Sequence, residues 1–425
     1  MANQIQVFSE IGRLRKVLVH RPGKEVERLY PEVFGPLLFD DVMDLNIAQA
    51  EHDDFTKKLR QEGVEVFYIE KLVAEVLDKD ASLREVLVSQ FLQQAEISDP
   101  SLIEAISQFW LKNKSNLELV KAMIAGVKKT EIQADFAASL AAQFLKNDPY
   151  PFYVDPIPNL LFQRDTLACV YQAVNINKMW AKTRRREAIF YYYLREYHPD
   201  WRDIPLLFDS KTDEGHIEGG DILVISPETL LVGVSQRTNG AGLESFARKV
   251  FGRFEKTQQI IGITIPKERA SMHLDTVLTQ MDHDKFSIDA DMAQLEYQIY
   301  ELTPAKAGLI KIKIANMKIK SLLEKYLKRP IKFVIVGGGD PIRAKREQWN
   351  DGANCLTIRP GVVMTYARNW VTNAEMEKVG VKVIRVGSSE LSRGRGGPRC
   401  MSMPLWRDLI ERPKQKAAKK EGKNG

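Results

Sequence analysis

Ser392-Arg393-Gly394-Arg395-Gly396-Gly397-Pro398-Arg399-Cys400-Met401-Ser402-Met403-Pro404 is the stretch on which the reading of this 425-residue chain turns. Gly394, Gly396 and Gly397 permit backbone conformations that residues with a Cβ avoid, and they let backbone approach a ligand closely. Three guanidinium groups beside one thiol are expected to lower its pKa and to hold an anionic group such as a carboxylate. Taken alone, the loop fits a basic flexible segment with an incidental cysteine equally well. Its company elsewhere in the chain decides.

Three further clusters carry chemistry. Asn159-Leu160-Leu161-Phe162-Gln163-Arg164-Asp165 precedes the apolar run Leu167-Ala168-Cys169-Val170. His216-Ile217-Glu218-Gly219-Gly220-Asp221 opens into Ile222-Leu223-Val224-Ile225. Met272-His273-Leu274-Asp275-Thr276 sets a histidine and an aspartate two apart, which on a strand puts both side chains on one face. With Cys400 these clusters supply a nucleophile, an acid/base histidine and several carboxylates. A cysteine protease needs one polar residue to orient its histidine. Several carboxylates beside a thiolate hinder it unless the substrate is itself cationic. A planar guanidinium, paired with carboxylates, meets that need. The residues read as attack of a thiolate on a guanidinium-type carbon.

Composition narrows the class. Apolar residues make up 44% and charged residues 28%, ordinary for a soluble globular protein. No run is long enough to span a membrane, and Met1-Ala2-Asn3-Gln4-Ile5-Gln6 lacks the basic and apolar regions of a signal peptide, so the cytoplasm is the expected compartment. Cys169, Cys355 and Cys400 are too scattered for a disulfide framework or a zinc site. The net charge of +6 is concentrated from Arg412 onward, where six basic residues face only Glu421. The body is near neutral and carries no nucleic-acid footprint, and the tail is expected to be disordered.

Along the chain, Lys16-Val17-Leu18-Val19-His20 reads as a strand ended by Arg21-Pro22-Gly23. A helix is predicted from about Asn46 to Glu62, stopped by Gly63, before the strand Val64-Glu65-Val66-Phe67-Tyr68. His20 and His52, in these elements, read as structural. From Val73 to Pro149 apolar residues recur at helical spacing, as in Leu83, Val86, Leu87 and Phe91, predicting about four helices inserted into a β-containing domain. After Pro149 a weak repeat appears. Thr229–Asn239 parallels Gly361–Asn369, and Gly63-Val64-Glu65-Val66 parallels Gly380-Val381-Lys382-Val383. A repeated strand–helix–strand unit suggests radial packing, with a doubly wound sheet as the alternative. Gly337-Gly338-Gly339-Asp340 lacks the spacing of a dinucleotide site.

The motifs together resemble the arginine deiminase family of the guanidine-modifying (pentein) enzymes. The matching stretches are Ile11 to Gly23, Phe162 to Asp165, His216 to Asp221, Met272 to Thr276, Trp349-Asn350-Asp351-Gly352 and Arg395 to Pro404. The resemblance implies an α/β fold, a five-bladed pseudo-symmetric propeller over residues 1–72 and 150–411 with an all-α bundle inserted at 73–149 and a basic tail at 412–425. It implies Cys400 as nucleophile, His273 as acid and base, Asp165 and Asp275 on the guanidinium, and Glu218 supporting His273. Asn159, Phe162, Arg184, Arg237 and Arg395 would position the substrate, the arginines facing its carboxylate. The implied reaction turns L-arginine into L-citrulline and ammonia with no metal or cofactor. A homo-oligomer, dimer or tetramer, is expected, with no nucleic-acid or membrane partner. Amidinotransfer or methylated-arginine hydrolysis would use the same residues. An inactive binding protein is the alternative of another class, and the intact Cys400, His273, Glu218, Asp165 and Asp275 argue against it.

Overall fold

The computed structural model describes residues 5–113, 115–132 and 139–410. The basic tail therefore lies outside the described residues. Among them, one three-stranded motif occurs five times: a strand, an antiparallel partner, then a third strand parallel to that partner. The second unit joins Leu167–Val170, Ala173–Ile176 and Leu206–Asp209. The third joins Ile222–Ser226, Thr229–Val234 and Gln259–Thr264. The fourth joins Leu278–Gln280, Lys285–Ile288 and Lys332–Ile335. The fifth joins Leu356–Arg359, Val362–Tyr366 and Lys382–Val386. The first takes its opening strand, Met403–Arg407, from the end of the described chain and pairs it with Leu14–Val19 and Glu65–Tyr68. Five such units are the number a five-bladed propeller requires.

The repeats now have a structural meaning. Thr229–Val234 and Val362–Tyr366 are the middle strands of their units, while Glu65–Tyr68 and Lys382–Val386 are the parallel outer strands. These two middle strands are buried along nearly their whole length, so they read as near-continuous apolar runs rather than alternating ones. The third unit alone is extended, by a hairpin of Glu296–Pro304 and Ile310–Lys318.

The first long helix, Leu45–Gln61, follows local rules. The Asp44 carboxylate accepts the Ile47 N–H as N-cap, and Ala48, His52, Phe55, Thr56 and Leu59 form the buried face. Gly63, at φ +81°, turns the chain into the next strand. The helical segment starts at Ile69 and runs through Ile69–Lys79, Leu83–Gln94, Pro100–Leu111 and Asn116–Ala125, with Leu140–Asn147 closing it. Asp99 caps the third of these ahead of Pro100, and Ser115 with Glu118 forms a capping box on the fourth. Phe91 and Trp110 meet edge to face at 5.7 Å. Leu87, Phe91, Ile106, Trp110 and Met123 pack into the same apolar cluster as Leu167, Val174 and Phe190. The helices therefore share a core with the second unit.

The topology brings chemistry to one place. In every unit the chain enters the opening strand from a turn or short helix bearing polar residues. These are Arg399 and Cys400 before Met403, Asp165 before Leu167, Glu218 and Asp221 before Ile222, His273 and Asp275 before Leu278, and Asp351 and Asn354 before Leu356.

Candidate active site

Asp165 lies in the four-residue helix Gln163–Thr166, and His273 stands at the N-cap of Leu274–Val277, which also carries Asp275. The Met272–Thr276 stretch is thus a turn and a helical turn, not the strand its spacing predicted. The Thr276 hydroxyl and N–H both bond the His273 carbonyl, which closes the turn. His273 and Asp275 still serve one site because the turn swings both inward.

A pocket opens here, walled by Asn159, Phe162, Asp165, Arg184, Arg237, His273, Arg395 and Cys400, with Leu38, Met272, Thr276 and Gly394 completing it. Glu218 and Asp275, both fully buried, stand behind that wall. His273 Nε2 lies 2.8 Å from Glu218 Oε2, and Nδ1 lies 3.7 Å from Asp165 Oδ1. The other Glu218 oxygen accepts the Trp180 N–H at 2.9 Å. Burial opposes a charge on His273, but Asp165, Glu218 and Asp221 outweigh it and raise the pKa to about 9. Burial likewise opposes the Glu218 charge, and Arg237 and His273 overcome it, bringing that carboxyl down to about 2.

The thiol sits among carboxylates. Cys400 Sγ is 3.7 Å from Asp275 Oδ2, which accepts from Arg399 Nη1 at 2.6 Å. Burial first, then Asp275, Asp165 and Asp351, push the thiol pKa well up, with Arg399 opposing. The expectation that the loop's arginines lower it is corrected, and the reason is geometric. Arg393 pairs with Asp41 and Glu390 at the surface. Arg399 is divided between Asp275 and Glu10, and Arg395 lies 3.4 Å above the Trp349 ring.

Asp165 and Asp275 each leave one carboxylate oxygen open. Asp165 Oδ2 accepts from Arg184 at 2.6 Å and Asp275 Oδ2 from Arg399, while Asp165 Oδ1 and Asp275 Oδ1 are buried with no hydrogen-bond partner among the described residues. Unpaired buried carboxylate oxygens are costly unless a ligand donates to them. Asp165, Glu218 and His273 have atoms close enough to hold a metal ion. A histidine that stays protonated to about pH 9, however, is a poor ligand near neutrality.

Residues 35–407 match the family model described as arginine deiminase. The chain belongs to the arginine deiminase family. It is 46% identical over 409 residues to an arginine deiminase of Borrelia duttonii, with 96% of this chain and 98% of that one covered. It is 44% identical over 419 residues to an arginine deiminase of Mycoplasma capricolum, covering 98% and 100%. Among solved structures, an amidinotransferase of Microseira wollei from saxitoxin biosynthesis aligns with a TM-score of 0.54 at 14% identity, over 96% and 99% of the two chains. A dimethylarginine dimethylaminohydrolase adduct aligns at 0.50, also at 14% identity, over 92% and 99%. These structural likenesses concern the fold, which they share with this arginine deiminase-family chain.

All ten residues singled out from sequence meet at this site, but not all face it as expected. Arg184 is spent on Asp165, on Glu187 and on the Asn159 carbonyl, so its guanidinium holds Asp165 in place rather than reaching freely into the pocket. Asn159 donates to the Leu37 carbonyl at 2.6 Å. Arg237 reaches Glu218 at 3.4 Å, with Nε unpartnered. Arg395 has Nε and Nη1 free of hydrogen bonds, which makes it the loop's best candidate for a substrate carboxylate.

Sequence reasoning passed over Asn354, Glu10 and Asp351. The Asn354 side-chain oxygen accepts the N–H groups of Arg399 and Cys400, and its amide donates to the Asp275 carbonyl, tying the two loops together. Glu10 pairs with Arg399 across most of the chain's length. Asp351, at φ +58°, is buried with one oxygen unpartnered, and burial holds its carboxyl up at about 7 against the pull of Arg395. The quoted Asn350-Asp351-Gly352 was a usable signal for Asp351. Glu10 offered none.

Proposed function

We propose that the chain hydrolyses L-arginine to L-citrulline and ammonia through a covalent adduct on Cys400. The observation that carries this is the pair of open oxygens, Asp165 Oδ1 and Asp275 Oδ1, at the thiol and imidazole. The cationic guanidinium donates to both, and its charge offsets the carboxylates that hold the thiol protonated, so as the substrate enters the thiol proton is released to solvent and the thiolate remains. Sγ attacks the guanidinium carbon to give a tetrahedral adduct. His273, protonated near neutrality, gives a proton to the departing nitrogen, and ammonia leaves a thiouronium. The neutral imidazole then takes a proton from water, whose oxygen adds to the same carbon, and citrulline leaves as the C–S bond breaks. Glu218 holds the imidazole and stabilises its charged form. Arg395 and Arg237 receive the substrate carboxylate, and Phe162 walls the aliphatic chain.

The proposal extends to organisation. The propeller covers 1–72 and 150–411, with the helices of 73–149 as an insertion; the five sheet units and the helical run between two of them support this division, although the first helix, Ile69–Lys79, already begins four residues before the boundary. No helix among the described residues is long and apolar enough to cross a membrane. The proposal includes a cytoplasmic location and a homo-oligomeric assembly.

Incubation with L-arginine and assay of citrulline and ammonia tests the reaction, with Cys400→Ser as control. Equal amounts of both products, lost in the variant, support it. Ornithine and urea would mean that a different bond is cleaved.

A further inference from the structure

The strand Ile310–Lys318 is the outer edge of the largest sheet, which runs 310–318, 296–304, 259–264, 229–234, 222–226. Its sequence, Ile310-Lys311-Ile312-Lys313-Ile314-Ala315-Asn316-Met317-Lys318, alternates isoleucine with lysine. Ile312 is 42% exposed and Ile314 59%. Long, regular edges with apolar side chains are templates for further strand pairing.

The phase of the ladder is readable. The Ala305 N–H bonds the Leu309 carbonyl at 2.9 Å, and the strands pair Pro304 with Ile310 through Glu296 with Lys318. Antiparallel alternation then turns the backbone groups of residues 311, 313, 315 and 317 toward the inner strand. Those of Ile310, Ile312, Ile314, Asn316 and Lys318 face the open edge.

We propose that this edge pairs antiparallel with the same edge of a second copy, about a two-fold axis through Ile314, giving one continuous sheet across both subunits. The lysines select the register. Centring on Ile312 sets Lys311 against Lys313, and centring on Lys313 sets that residue against itself; like charges directly opposite are destabilising. Centring on Ala315 sets Ile314 against Asn316 and Ile312 against Lys318, which separates the isoleucines. Centring on Ile314 places Ile314 on Ile314, Ile312 on Asn316, Ile310 on Lys318, Lys313 on Ala315 and Lys311 on Met317, so two isoleucines meet on the axis and each lysine stem lies over a small or apolar neighbour. All five outward-facing residues then find partners, making about ten backbone hydrogen bonds. Ile310, Ile312 and Ile314 of both copies lie on one face of the joined sheet, the face on which a Cβ at Gly262 would meet both Leu243 of helix Gly240–Arg253 and Tyr300, the inner neighbour of Ile314. A partner peptide of unrelated sequence would lack this self-complementarity.

Cysteine cross-linking tests the register independently of any catalytic reading. Cys169, Cys355 and Cys400 are all buried, so the parent chain supplies the blank. In the proposed pairing Ile314→Cys faces its own copy with Cα atoms about 5.5 Å apart, within disulfide reach. Ile312→Cys faces its copy four residues away, at about 13 Å. Mild oxidation should convert most of the Ile314→Cys chain, and little of the Ile312→Cys chain, to a disulfide-linked dimer. Ile314→Lys puts like charges on the axis and should halve the mass measured by sedimentation, while the far-ultraviolet spectrum stays that of the parent. Failure of Ile314→Cys to cross-link, equal cross-linking of both variants, or an unchanged mass for Ile314→Lys would each overturn the proposal.

Discussion

Both reactive groups at the site are held in their protonated forms near neutrality. Cys400 is kept protonated by burial and three carboxylates, and His273 is kept protonated by Asp165 and Glu218 against burial. In the proposed reaction the carboxylates that disfavour the thiolate are also the groups that bind the substrate's cation. The free enzyme therefore carries a quiet thiol, and the thiolate forms where arginine is bound. Cys400→Ala should lower kcat at least about a thousandfold, since no other thiol among the described residues lines the pocket; turnover above that residue of activity would sink the covalent route. Asp275→Ala should weaken both binding and rate, because it removes a guanidinium acceptor and leaves Arg399 with Glu10 alone. An unchanged KM would refute the clamp. In pH terms, kcat/KM should fall above about pH 9 as His273 loses its proton. Glu218→Gln removes a group that raises that value, so the alkaline limb should move to lower pH. A limb that stays put would show that it belongs to another group. For stability the sign is the same: with its folded value above the ordinary 6.5, the His273 contribution is complete below about pH 6.5 and is lost as pH rises through about 9.

Short turns do at the level of elements what long helices cannot. The site's side chains come from segments of a few residues whose backbones are pinned by close packing. A Cβ on Gly220 would come within 2.7 Å of the His273 ring, and one on Gly396 within 2.3 Å of the Phe162 ring. Gly220→Ala should displace the imidazole and cost about a hundredfold in kcat with the far-ultraviolet spectrum preserved, since small misplacements of catalytic groups carry penalties of that size. A variant with parental kinetics would show that the ring has room to move. The strand Leu14–Val19 ends in a different buried arrangement. His20 lies between Glu25 at 3.1 Å and Glu70 at 2.9 Å, and although burial opposes its charge, Glu70 and Glu25 raise it to about 10. The ion cluster joins the first sheet unit to the first helix of the helical segment. His20→Gln strands two buried carboxylates, and we expect a loss of about 3–5 kcal/mol in urea unfolding near pH 7. A loss under about 1 kcal/mol would mean that the carboxylates take up protons cheaply.

Taken whole, the molecule is closed by its two ends. Met403–Arg407 pairs with Leu14–Val19, the Leu405 carbonyl accepts the Gln6 N–H, and Arg399 bonds Glu10 at 3.1 Å. The proposed nucleophile, Cys400, thus precedes the strand by which the far end of the described chain joins the first sheet unit. Glu10→Ala leaves Arg399 paired with Asp275 alone and should lower both thermal stability and activity. Loss of activity without loss of stability would place the effect in the loop rather than in closure.

Much of this was legible in the sequence. The order and types of the chemical residues pointed to guanidinium chemistry, because acid, base, nucleophile and cation-binding groups each require particular side chains. The repeated strands revealed a recurring unit, since Thr229–Val234 and Val362–Tyr366 are both buried along nearly their whole length and so share an apolar pattern. The helix at 45–61 was written in its cap and its spacing. Charge states were not legible, because the arginines beside Cys400 lower its pKa only where they are free, and their partners Asp41, Glu10 and Asp275 are supplied by distant segments. The turn at His273 was misread as a strand for a related reason: two-residue spacing is common to both, and only packing against neighbouring units distinguishes them. The sequence by itself determined which groups this protein brings to its chemistry. Tertiary structure decided what charge each of them carries, because electrostatic fields inside a protein come from whatever folding places within a few ångströms, however far apart the residues lie along the chain.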